Sequence, residues 1–298
     1  MAETAVAESD ATTSLRELAA RHGLHAAGAL PSLSTYTRQL WKYRHFIGSY
    51  ANARVSSSLG KTRLGRIWQV LTPLTNAAVY YLIFGMVLSQ DRKMPNFVVY
   101  LCIGVFVFIF SQSSAQAGVT SITANLGLIR ALHFPRASLP IAVTLIEAQH
   151  LIASMTVLMA ICLFFKEPLT WMWLLIPLIL LLQTIFNAGL ALILARIGSK
   201  LTDLKQVMPF ALRVWFYGSA VLYPVKMFED RLDGWLLVLV ESNPLLIYIE
   251  LMRHSLMENA PLANSPLRLW LVGLGWALAF GIGGFVYFWR GEKEYGRG

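Results

Sequence analysis

Six apolar stretches, at about 69–89, 97–119, 138–165, 171–197, 207–224 and 267–289, decide what this 298-residue chain can become. A helix needs about 20 mostly apolar residues to cross the hydrocarbon core of a bilayer. Lipid offers no partner to backbone N–H and C=O groups, so each run must satisfy them internally as a helix. Charged residues make up 14% of the chain and mean hydropathy is +0.55. A soluble domain carries roughly 25% charged residues. An ordinary soluble enzyme and a disordered or fibrous chain are both excluded. The expected fold is an all-α polytopic membrane protein with six transmembrane helices.

The net charge of +9 is placed where it orients a membrane protein. Arg38, Lys42, Arg44, Arg54, Lys61, Arg63 and Arg66 come before the first run with no acidic residue among them. Arg130 and Arg136 lie between runs two and three, Arg196, Lys200 and Lys205 between four and five, and Arg290, Lys293 and Arg297 after six. The alternate loops carry Asp91, Glu167 and the acidic group Glu229, Asp230, Asp233, Glu241, Glu250 and Glu258. The positive-inside rule then puts both termini in the cytoplasm. Nucleic acid is not an expected partner, because the aromatics sit in apolar runs rather than between the basic residues. Cys102 and Cys162 lie inside apolar runs, with neither disulfide nor metal spacing. Residues 1–32 read as a flexible cytoplasmic tail without the basic start and apolar centre of a signal peptide. The organisation is completed by a basic interface segment at 33–66, a membrane domain at 67–290 and a cytoplasmic tail at 291–298.

Two regions depart from simple spanning. Residues 33–50 place Leu33, Tyr36, Leu40, Tyr43, Ile47 and Tyr50 on one helical face and Arg38, Lys42 and His45 on the other. Such an amphipathic helix is expected to lie flat at the cytoplasmic surface. Residues 232–256 are apolar but interrupted by Asn243-Pro244, and each half is too short to cross. A re-entrant helix pair, with its loose backbone covered by protein or water, is the expectation there.

No catalytic motif is visible. Gly60-Lys61-Thr62 resembles the end of a phosphate-binding loop, but Val55 stands where the motif requires glycine. The histidines form no His-Glu-x-x-His pattern, and no Gly-x-Ser-x-Gly elbow occurs. Intramembrane ionisable residues are the usual pointer to function. Glu147 and Arg213 each lie roughly 10 Å inside their spans by helical rise and are expected to pair, with His150 one turn from Glu147 able to join them. Gln183 and Asn187 share a face of span four suited to binding a neighbouring helix. Tyr80, Tyr81 and Phe84 in span one and Trp215, Phe216 and Tyr217 in span five are either interfacial anchors or rings lining a pathway.

In order along residues 38–295, several segments resemble the permease subunit of bacterial ABC polysaccharide exporters, the type-two group that handles O-antigen, teichoic acid and related polymers. They are Leu64-Gly65-x-x-Trp68-x-x-Leu71-x-Pro73-Leu74, then Asn125-Leu126 with Phe134-Pro135-Arg136 and Leu139-Pro140, then Lys200-x-x-Asp203 with Pro209. Ser219-Ala220-Val221-Leu222-Tyr223-Pro224, Asn243-Pro244 and Glu250-x-x-Arg253 follow. Lys200 departs from the family's usual arginine, which removes a bidentate role at that position. The terminal Arg290-Gly-Glu-x-Glu-Tyr295 is similar to cell-wall galactan exporters. The resemblance implies a non-enzymatic homodimer working with two separate ATPase subunits, which carry the ATP and Mg; no cofactor is expected on this chain. It implies that Leu126, Ile129, Arg130, His133 and Arg136 couple to the ATPase. Arg38, Lys42 and Arg44 would stand where the pyrophosphate of a lipid-linked polysaccharide approaches, and the six aromatics would line the channel. The broken pair at 232–256 would gate the outer side. Export of drugs or small lipids by a permease of the same group is the alternative.

Overall fold

The computed structural model describes residues 31–60, 65–87, 96–229 and 234–295, and among them there is helix and no strand. The helices are α1 (Leu33–Lys42), α2 (Arg44–Gly60), α3 (Gly65–Tyr80, continued as a π-helix over Tyr81–Val87), α4 (Phe97–Thr120), α5 (Leu126–Ala131) and α6 (Ser138–Phe164). They are followed by α7 (Ile176–Lys200), α8 (Leu204–Gly218), α9 (Lys226–Glu229), α10 (Trp235–Glu241), α11 (Pro244–Leu256) and α12 (Pro266–Arg290). Most of the N-terminal tail, Lys61 and Thr62, and the acidic residues Asp91, Asp230 and Asp233 lie outside the described residues.

α4 is apolar all round and is therefore buried all round: Val99, Leu101, Ile103, Val105 and Val107 are hidden along with their alternates. α3, α6, α7, α8 and α11 surround it. α6 and α12 bury only part of their surface, and α12 shows Leu267, Leu271, Leu274, Leu278 and Ile282 outward as a continuous stripe. In water such a stripe would be an aggregation surface; on an apolar span it faces lipid. Gln183 on α7 donates to the Val107 carbonyl and to Ser111 Oγ, both at 3.0 Å, so it binds a neighbouring helix as its position predicts.

Glycines set the closest helix contact. A Cβ built on Gly189 of α7 would stand 2.1 Å from the Phe280 carbonyl oxygen of α12, and one on Gly284 would stand 2.3 Å from the Gly189 carbonyl oxygen. Backbone approach of this kind supplies the van der Waals packing that holds helices together in lipid. Gly189→Ala is expected to cost about 1–3 kcal/mol through overpacking. Gly275→Ala, on α12 with nothing within 4 Å, is expected to stay within about 1 kcal/mol of the parent. Thermal unfolding midpoints in detergent check both.

Four helical stretches of the described chain are long and apolar enough to cross a membrane: Phe97–Thr120, Ser138–Phe164, Trp171–Lys200 and Pro266–Arg290. The expected first span is a continuous helical stretch, but only Leu74–Phe84 forms an apolar helix, because Gln69 and Thr72 dilute the turns before it; residues 88–89 lie outside the described chain. The expected fifth span, 207–224, is cut short. α8 ends at Gly218, and the chain runs without helix to Pro224, with Ala220 in the left-handed region at φ 47°. At the Asn243-Pro244 break, α10 and α11 meet at 57°. Proline opens α11 and Asn243 caps it by accepting from the Leu245 N–H at 3.1 Å.

Candidate functional site

α3 and α8 border, against α4, a cavity of about 240 Å³ lined by Asn76, Tyr80, Gln112, Arg213, Phe216 and Tyr217 among others. Tyr80 stacks on Phe216 at 5.2 Å, and Phe216 meets Phe108 edge-on at 4.9 Å, so the buried Phe216 is the hinge of an aromatic cluster. Tyr217 and Arg213 are exposed to the cavity's open side. Three expected channel aromatics therefore meet here. The other three do not. Trp215 turns away to donate its indole N–H to Asn243 Oδ1 at 2.9 Å. Tyr81 lies 6.5 Å from Phe97, and Phe84 packs at the edge of the main core.

The structure does not bring Glu147 and Arg213 together. Glu147 Oε2 lies 3.4 Å from His150 Nδ1, one turn along α6. Both line a separate cavity of about 160 Å³ with Trp68, Thr72, Ser113 and Ser154. Equal depth along two helices does not give equal direction around them, and α6 points this pair at α3 instead of α8.

At the basic end of the bundle the amphipathic face of α1 and α2 is taken up by protein. Tyr36, Ile47 and Ala51 are buried, Tyr36 among Ile122, Ile129, Leu139, Phe288 and Tyr295, while Leu33 and Trp41 remain exposed. Of the residues expected near a pyrophosphate, Arg38 is exposed, Arg44 sits over the Trp41 ring at 5.2 Å, and Lys42 borders a cavity of about 530 Å³ with His133, Arg136 and Lys293. α5 carries Leu126, Ile129 and Arg130, with Ile129 buried beneath it and Arg130 and His133 outward.

Arg136 turns inward, to a node that the sequence did not announce. Glu292 Oε2 accepts from the Tyr36 hydroxyl at 2.7 Å, and Oε1 accepts from the Arg136 N–H at 3.0 Å. The Arg136 guanidinium donates to the Glu292 carbonyl, and the Tyr36 hydroxyl accepts from the Ala137 N–H at 3.1 Å. Burial raises the Glu292 carboxyl above the usual carboxylate range, against the lowering effect of these donors and of the Arg136 charge. Burial and the nearby Glu292 charge push the Tyr36 phenol far up. Tyr295 is buried against Phe288 at 4.5 Å, and Lys200 pairs with Glu294 at 2.6 Å, which lowers the Glu294 carboxyl. The tail after α12 is thus a latch joining α1, the α5–α6 connection and α7.

A second centre, built on the Glu250-x-x-Arg253 segment, lies at the opposite end. Arg253 of α11 is fully buried and donates to the carbonyls of Tyr100 (3.3 Å), Ala220 (3.1 Å) and Val221 (2.8 Å), with its guanidinium over the Tyr100 ring. Glu250, one turn earlier and also buried, accepts from the Ala263 N–H at 3.0 Å and acts electrostatically on Arg253. The unwound carbonyls that end α8 find their donors here.

Apolar spans, partly unwound helices and a cationic cavity among them define a multi-pass membrane protein. Residues 50–257 match the ABC-2 type transporter family, and the chain belongs to it. It is similar to O-antigen export system permease proteins RfbA from Myxococcus xanthus (27% identical over 194 residues, 65% of this chain and 74% of the relative) and Klebsiella pneumoniae (30% over 184 residues, 61% and 68%). It is also similar to the polysialic acid transport protein KpsM of Escherichia coli, 26% identical over 215 residues, 69% of this chain and 78% of the relative.

Proposed function

We propose that this chain is the permease subunit of an ATP-driven exporter that moves a lipid-linked polysaccharide, galactan-, O-antigen- or teichoic-acid-like, across the bacterial inner membrane. The observation that carries the reading is that relatives named for O-antigen and polysialic acid export match 61–69% of the chain, and that the family match over residues 50–257 includes the helices that build the cavity. In this reading two copies face each other across α3 and α8, which serve as the first and fifth of six spans. α1 and α2 stand at the cytoplasmic surface, α10 and α11 form a re-entrant pair, and both termini are cytoplasmic. A separate ATPase docks on α5 and its flanks and supplies the ATP and Mg chemistry; ATP-driven closure moves α5 and re-spaces the protomers.

The reading is tested by depleting the chain in its native cells, where a lipid-linked glycan should accumulate on the inner side of the membrane. Depletion without such accumulation overturns it. The coupling assignment has its own test. Arg130→Glu combined with His133→Glu should abolish co-purification of the ATPase while leaving membrane insertion intact, because one outward cation is reversed and a second negative charge is added at the docking face. Retained co-purification would put the ATPase elsewhere.

A further inference from the structure

Arg213 is a permanent cation on an apolar helix. Ionisable residues in such positions ordinarily pair with an opposite charge, yet no carboxylate among the described residues comes within ion-pair distance of it, and its cavity is lined by none. Glu147, the carboxylate that helix depth would assign to it, is occupied with His150 in the other cavity. Four further polar side chains border the same space, one amide each from α3 and α4 (Asn76, Gln112) and the phenols of Tyr80 and Tyr217. Among the described residues none of these five side chains makes a hydrogen bond to protein, in contrast to Gln183 of α7, which makes two.

Three helices therefore direct hydrogen-bond donors and one positive charge into a single open space that holds no negative group. We infer that this cavity is a binding station for a phosphate or diphosphate ester, with Arg213 as its charged anchor and Asn76, Gln112, Tyr80 and Tyr217 as the surrounding donors. A guanidinium fork grips two oxygens of such a group, and its remaining oxygens need donors from other directions, which a two-oxygen carboxylate would leave idle. The stacked pair of Tyr80 and Phe216 at the cavity's edge offers a flat apolar face to a ring attached to the ester. The assignment rests on the exporter reading and deepens it: the charge on the cargo, and not only its sugar rings, is recognised inside the membrane. The phosphate can belong to the lipid carrier or to the polymer backbone, and the chemistry of recognition is the same.

The test uses the full chain with its co-purifying ATPase in nanodiscs and measures equilibrium binding of labelled polyprenyl diphosphate, uncharged polyprenol and a glycerol phosphodiester oligomer. Arg213→Gln should weaken polyprenyl diphosphate by about tenfold or more and leave polyprenol unchanged, while Arg213→Lys, which keeps the charge but loses the fork, should fall between Arg213→Gln and the parent. Dependence on Arg213 for the phosphodiester oligomer alone assigns the phosphate to the polymer backbone instead of the carrier. Parental affinity of Arg213→Gln for both phosphate probes overturns the site. If Arg213→Gln does not assemble, the double variant Asn76→Leu with Gln112→Leu takes its place. Selective weakening of the phosphate probes supports the site, and unchanged binding overturns it. Glycan accumulation on depletion is read independently, so failure of the export reading and failure of this site give different results.

Discussion

Arg253→Met lowers the unfolding free energy of the solubilised protein by about 3–5 kcal/mol, the range for removing one partner from a buried charge cluster. The Ala220 and Val221 carbonyls lose their donor in a site closed to solvent, and the Tyr100 carbonyl, still bonded within α4, loses its second one. Each buried unsatisfied acceptor costs about 1–3 kcal/mol before relaxation. Glu250 also keeps its buried position but loses the positive charge one turn away. Arg253→Lys is expected to recover little, since one ammonium cannot spread donors over carbonyls held on α4 and on the segment after α8. Adding Glu250→Gln to Arg253→Met should return part of the loss, because the uncompensated charge goes with it. Thermal or denaturant unfolding in detergent measures all three. A parental midpoint for Arg253→Met would mean that the unwound segment is held by its own packing.

The consequence reaches α8. The strained Ala220 backbone is maintained because surrounding groups over-determine it. Without Arg253, the carbonyls after Gly218 can return to intrahelical bonding, so α8 should lengthen toward the span that its apolar sequence predicts. A cysteine placed at Val221, which is fully buried in the parent, should then become open to small thiol reagents.

This explains which parts of the fold were legible in sequence. α4, α6, α7 and α12 follow from unbroken apolar runs, because burial in lipid or protein acts on each run locally. The end of α8 does not, because it depends on a side chain about thirty residues later, and periodicity holds no record of it. The break at Asn243-Pro244 was legible since proline and an asparagine cap act within a few residues. The amphipathic face at 33–50 was legible too, but not what covers it: Tyr36 seeks burial equally well in protein or headgroups. Among the polar residues, the Glu147–His150 neighbourhood follows from one turn of helix, whereas the expected partnership with Arg213 required an azimuth that helical rise does not supply. Glu292 lay hidden in a charged tail, where a carboxylate between Arg290 and Lys293 ordinarily reads as solvated surface.

That tail carries the second large effect. Glu292→Ala leaves the Tyr36 hydroxyl and the Arg136 N–H without their acceptor in a mostly buried node, an expected loss of about 2–4 kcal/mol. Glu292→Gln retains one acceptor but presents an amide N–H₂ where the other accepted, so it should fall between Ala and the parent. Tyr36→Phe removes the acceptor of the Ala137 N–H and the donor to Oε2 together. A double-mutant cycle between positions 36 and 292 should show a coupling of about 0.5–3 kcal/mol. The direction with pH is fixed by burial, which raises the folded carboxyl above its ordinary value. The folded state then binds the proton more tightly than the unfolded chain. The contribution of this group is greatest below the ordinary carboxylate value and declines as pH rises through the raised folded value. Glu292→Gln should remove that part of the pH dependence, and an unchanged profile would assign it to another group. Because the node joins α1, the connection from α5 to α6 and the end of α12, its loss should also release the tail at its other anchors. Limited proteolysis should cut near Tyr295 in Glu292→Ala before any cleavage within α12, and equal resistance of parent and variant would show that Lys200, Glu294 and Tyr295 hold the latch on their own.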